Sequence, residues 1–164
     1  MNFAYHRTNP IGLIIVTVLL ALLLMLLPLP TWAQVLRPQW LLLVLIYWCL
    51  FLPGSAGLSL AWVSGLLLDI LQNTTLGEHA LIFTAVSYFV LRFQTRINFF
   101  PFWQKSAVIL GLISTNHIFQ VWLGGVLGHP VHNNLYWLSI GTTLLFWPWV
   151  SLLIQQCQRK FGSR

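Results

Sequence analysis

Apolar residues fall into six runs, at about 11–27, 39–52, 57–72, 79–94, 105–123 and 135–154, separated by short stretches rich in polar residues, Gly or Pro. A helix needs about 20 largely apolar residues to cross a bilayer, with a lower limit near 17. The pattern therefore predicts six membrane-spanning helices in an all-α integral membrane protein. The second and third runs are short, and they turn at Pro53-Gly54-Ser55. Short spans thin the bilayer or are shielded by neighbours. Pro148 falls inside the sixth run, where it removes a backbone donor and is expected to kink or loosen the helix. The connections are too short to hold a separate module, so residues 1–164 read as one six-helix domain. No internal repeat supports an inverted-repeat transporter. The first run follows Arg7 as a signal peptide's would, but Pro28-Leu29-Pro30 replaces a small-residue cleavage site, and it reads as a retained span.

Charge fixes the orientation. With six crossings, Arg7, Arg92, Arg96, Lys105, Arg159, Lys160 and Arg164 all fall on one side, and only Arg37 falls on the other. Cytoplasmic loops are enriched in Lys and Arg, so both termini are expected in the cytoplasm. The same rule keeps the second and third runs apart. Merged, they would leave two crossings between Arg37 and Arg92, and so place the Arg92, Arg96 and Lys105 cluster outside with Arg37.

Composition agrees: 58% of the chain is hydrophobic and 6% charged, where soluble domains carry about 25% charge. The net charge of +6 is scattered over helix ends. It fits topology and anionic head groups of membrane lipids, and not a nucleic-acid-binding face. Six of the nine Trp, at 32, 40, 103, 137, 147 and 149, lie near expected helix ends, as interfacial anchors do. Cys49 and Cys157 fall toward the cytoplasmic side, where a disulfide is not expected.

Asp69 and Glu78 are the two acids of the chain. Asp69 lies within the third span, where an ionisable group normally has a partner. In an antiparallel pairing of spans two and three, Trp40 comes level with Asp69 and Arg37 lies a turn further out. Arg37 is therefore the expected partner, either as a structural clamp or as part of a surface that meets a partner or ligand. Gly57, Ala61, Gly65 and Asp69 follow at four-residue spacing, a small-residue stripe that lets another helix approach closely. Asn116, His117 and Gln120 make the fifth span polar, either lining a small cavity or bonding across helices. His129 and His132, with Glu78 and His79 on the same side, have neither an HExxH helix nor a Cys pair to suggest zinc. Ser64-Gly65 and His117 prompt comparison with intramembrane serine proteases, but Trp62 stands where the first Gly of Gly-x-Ser-Gly belongs. No phosphate-binding loop is present. No enzyme, cofactor or metal is expected.

Three strings carry a family resemblance. Arg37-Pro38-Gln39-Trp40, running into LLLVLIYW, resembles the start of the second span in the rod shape-determining MreD family. GLLLDILQNTTLGEHAL, from Gly65 to Leu81, resembles that family's Gly-x-x-x-Asp element, a following Gly and a new helix. FWPWV, from Phe146 to Val150, with its basic tail, resembles the last span. Arg37, Pro38, Trp40, Gly65, Asp69 and Gly77 match the family pattern, while His117 stands where some relatives are expected to carry an acid. The resemblance implies a fold similar to the substrate-binding (S) subunits of energy-coupling-factor transporters, and no catalysis. It implies a scaffold of the bacterial elongation machinery that binds the single-span protein MreC directly, with MreB, RodA and its transpeptidase in the wider assembly. A small-solute-binding transporter subunit is the alternative.

Overall fold

The computed structural model describes residues 10–28, 30, 36–126 and 137–161. Six α-helices lie among them: α1 (Pro10–Leu26), α2 (Trp40–Phe51), α3 (Leu58–Gln72), α4 (Glu78–Phe99), α5 (Phe102–Val126) and α6 (Leu138–Phe161). Hydropathy marks only the apolar middle of a helix, so α4 outruns the expected 94 and α6 the expected 154. Their backbone hydrogen bonding continues through Arg92 and Arg96, and past Ile154. α6 is helical on both sides of Pro148, and Ser151 Oγ donates to the Pro148 carbonyl at 2.8 Å.

The core is organised around α2. Leu41 through Leu50 are all buried, so this helix is apolar around its whole circumference, as a helix enclosed by protein should be. Its twelve residues rise about 18 Å at 1.5 Å each, well short of the ~30 Å hydrocarbon core of a bilayer. α1, α4 and α6 pack against it. Trp48 Nε1 donates to Thr17 Oγ1 of α1 at 2.9 Å, and Tyr47 Oη to Gln158 Oε1 of α6 at 3.1 Å. The deepest aromatic rings of the core thus have their polar ends occupied.

The outer helices turn apolar side chains outward, including Leu19 and Leu23 on α1, Val63 and Ile70 on α3, Tyr88 on α4, Trp122 on α5, and Trp149 and Leu152 on α6. An apolar exterior this extensive is solvated by lipid or covered by a partner, not bathed in water. Among the described residues, Trp103–Val126 and Leu138–Gln158 are long and apolar enough to cross a membrane by length and composition, while α1, α2 and α3 are shorter apolar helices.

Candidate functional site

Among the described residues, most buried polar side chains gather into two groups, and each begins from a local feature of the sequence. The first is the corner between α3 and α4. Asn73 ends α3 in the left-handed region at φ 52°, which Asn tolerates better than most residues. The Thr74 N–H then donates back to the Asp69 carbonyl at 3.1 Å. Gly77, at φ 99°, reverses the chain into α4 and is of the residue type that adopts this conformation without steric cost.

These turns bring the start of α4 onto the Asp69 carboxyl group, which is fully buried. Asp69 Oδ2 accepts from the Gly77 N–H at 2.9 Å. Its Oδ1 accepts from the His79 N–H at 3.0 Å and the Thr74 hydroxyl at 3.0 Å, and lies 2.7 Å from His79 Nδ1. The first N–H groups of a helix have no partner within it, and they sit at the positive end of its dipole. A carboxylate from the preceding helix therefore answers both needs at once. Gly65, one turn earlier on α3, makes the approach possible. A Cβ there would stand 2.4 Å from Ala80 Cα and 2.6 Å from Ala80 N, so only Gly fits.

This arrangement corrects the expected pairing of Asp69 with Arg37. The acid's oxygens bond to Thr74, Gly77 and His79, all of them from the corner itself. The Arg37 guanidinium instead donates through Nη2 to the Leu27 carbonyl at the end of α1. A helix N-terminus five to ten residues away supplies donors to Asp69 without ordering a long cation. The small-residue stripe is also shorter than expected. Ala61 and Gly65 are buried, but a Cβ on Gly57 would meet only Ser59 Oγ, at an ordinary 3.7 Å.

The second group ties α2 to α5 and α6. Gln39, immediately before α2, leaves its own helix uncapped and reaches α5. Its Oε1 accepts from Asn116 Nδ2 at 2.5 Å, and its Nε2 donates to Gln120 Oε1 at 3.4 Å. The Gln39 N–H donates to Thr143 Oγ1 of α6 at 3.2 Å, and that hydroxyl donates to the Ser139 carbonyl at 2.5 Å. His117 Nδ1 lies 3.1 Å from the Ile113 carbonyl, which can only accept, so Nδ1 carries the proton; Nε2 faces Ser139 Oγ at 2.5 Å. Asn116, His117 and Gln120 therefore act mainly as links between helices. Pro38 is buried beside this seam, its carbonyl accepting from the Trp40 N–H at 3.0 Å. The Trp40 ring meets Phe146 of α6 edge-on at 4.9 Å.

Sequence reasoning missed His79, Gln39, Ser139 and Thr143. A fourth run starting at 79 already puts His79 at the head of a helix, but no spacing pairs it with Asp69; Thr75-x-x-Glu78 resembles a helix-start box, yet Gly77 caps α4 and Thr75 Oγ1 donates to Glu78 Oε2 at 2.9 Å. Nothing in the sequence marks the partners of Gln39. Ser64 Oγ donates to the Ala61 carbonyl of its own helix at 3.1 Å, which gives it no nucleophile's partner. Cys49 and Cys157 are free thiols. Among the described residues, no three His, Cys, Asp or Glu come together to hold a metal. Arg7, His129 and His132 lie outside the described residues.

An all-helical chain with an apolar exterior, whose buried polar groups join helix to helix, belongs to the class of structural membrane proteins. The family model for the rod shape-determining protein MreD matches residues 5–157, and the chain belongs to that family. It is similar to the rod shape-determining protein MreD of Haemophilus influenzae, 29% identical over 145 residues that cover 86% of this chain and 87% of that protein. No solved structure matches it. Family membership assigns the chain a role in rod-shape determination, in a family of structural membrane proteins that is not known for catalysis.

Proposed function

We propose that this chain is a multi-pass scaffold of the bacterial inner membrane that binds MreC and positions it for lateral cell-wall synthesis. In this reading all six helices lie in the bilayer, both termini are cytoplasmic, and the fold is kin to the S subunits of energy-coupling-factor transporters. MreB, RodA and its transpeptidase belong to the wider assembly. The observation that carries the reading is the outward apolar surface of α1, α3, α4, α5 and α6, combined with membership of the MreD family. Such a surface offers another membrane helix a place to pack, where association rests on close van der Waals contact. Arg37, Pro38, Trp40, Ala61, Gly65, Asp69 and Gly77 then act as the residues that hold this surface in shape.

Depletion in the host, followed by rescue with the wild-type chain, tests the assignment. Rods become spheres if it holds, and rods that keep their shape refute it. Co-purification with MreC at near-native expression in mild detergent tests the partner, and its absence removes MreC from the proposal. The solute-binding alternative has less support, because most polar groups of the Gln39–Asn116–Gln120 seam are used on one another.

A further inference from the structure

Between α4 and α5 runs a groove of about 660 Å³, within the range of about 300–1,000 Å³ typical of ligand sites. Its walls are apolar, formed chiefly by Val86, Phe89, Phe93, Ile97, Leu112 and Phe119. Its polar neighbours are largely spoken for. Thr115 Oγ1 donates to the Gly111 carbonyl at 2.8 Å, and Asn116, itself fully buried, bonds Gln39. One charged side chain lines the groove: Arg96, at the end beside the α4–α5 turn, exposed.

A second cation stands at that end: Lys105, one turn before the groove-lining Val108 on α5. Arg92 lies one turn from Arg96 on α4, toward the middle of that helix. None of the three makes an ion pair among the described residues, where the pairing found is His79 with Asp69. The chain has two acids in all. Asp69 is enclosed in the α3–α4 corner, and Glu78 begins α4 at its opposite end. Within one chain, therefore, no acidic side chain reaches the basic end. The counter-charge must come from a different molecule.

An apolar groove ending in uncompensated cations is complementary to an anion joined to a hydrocarbon tail, and basic pockets between membrane helices hold lipid head groups in this manner. We propose that the α4–α5 groove binds an anionic phospholipid, its phosphate beside Arg96 and Lys105 and one acyl chain along the groove. One leaflet is about half the ~30 Å core, or roughly ten residues of helix. The chain therefore runs from Phe100 to about Phe89 on one wall, and from Val108 to about Phe119 on the other. Gly111 lies within that stretch, and a Cβ added there meets nothing within 4 Å, so a larger side chain enters the groove and not the protein core.

The test is native mass spectrometry of the full chain released from nanodiscs of mixed phosphatidylglycerol and phosphatidylcholine. The wild type retains phosphatidylglycerol in preference. Arg96→Gln lowers that retention by about fivefold, the factor one cation contributes near an anionic lipid surface, and Arg96→Lys restores most of it. Gly111→Leu lowers retention of either lipid in the groove. Gly12→Leu, which adds the same side chain at an open position on α1, changes nothing. Equal retention of the two lipids by the wild type, or unchanged preference in Arg96→Gln, means annular lipid only and overturns the proposal. Arg96→Gln alters one exposed side chain, so this arm stands even if Gly111→Leu fails to fold. MreC is absent throughout, so the result is independent of the partner assignment.

Discussion

The α3–α4 corner and the seam joining α2 to α5 and α6 both bury polar groups in an apolar protein, but they are built at different ranges. In the corner, every partner of Asp69 lies within ten residues of it. In the seam, Gln39 meets Asn116 and Thr143 across 77 and 104 residues. The corner joins a charged group to backbone donors that would otherwise be orphaned. The seam joins neutral amides and hydroxyls. A charge-assisted bond is roughly twice as strong as a neutral one, and a buried donor left unpaired costs more than its bond gave. The corner is therefore expected to dominate local stability, and the seam to fix how distant helices sit together.

Substitutions in the two regions can break or sharpen this contrast. Gly65→Leu should have the largest effect. Its side chain meets the Ala80 backbone, which cannot swing aside, and the chain should fail to accumulate in the membrane; normal accumulation would show that α3 and α4 separate readily. Asp69→Ala should cost about 3 kcal/mol, in the range for breaking a buried charged contact, and lower the thermal midpoint of the purified protein accordingly. Asp69→Asn, which keeps acceptor capacity, should recover part of the loss. Asn116→Leu should cost about 1–2 kcal/mol, since it leaves the Gln39 oxygen without its donor. A loss as large as that of Asp69→Ala would reverse the ranking of the two regions. Glu78→Ala should cost about 0.5 kcal/mol or less, because its bond to Thr75 is exposed. If Asp69→Ala and Glu78→Ala accumulate and complement equally, the corner has no special standing.

The same difference in range decided what could be read from the sequence. Helix positions were legible because each apolar run is a local pattern, and the tight turn at Pro53-Gly54 separates α2 from α3. Gly65 and Asp69 were legible as one face because they are four residues apart. The partner of Asp69 was misassigned because charge complementarity pointed to Arg37, whereas backbone N–H groups carry no letter in the sequence. His79 was read as the first residue of the fourth run, but nothing in the sequence joined it to Asp69 ten residues earlier. The seam was half legible: Asn116, His117 and Gln120 stood out as polar residues in an apolar run. Gln39 is one ordinary residue at the head of a helix, and only the packing of three helices brings it to them.

The reach of Gln39 has a consequence for how the chain is made. Thr143 follows Gln39 by 104 residues, and at roughly 5–20 residues per second it leaves the ribosome about 5–20 seconds later. Through that interval the head of α2 lacks its α6 partner, so the innermost helix of the finished protein is among the last to be locked in place. A nascent chain stopped before α6 keeps an unfinished centre that surveillance proteases can recognise, and the arrival of α6 closes that window.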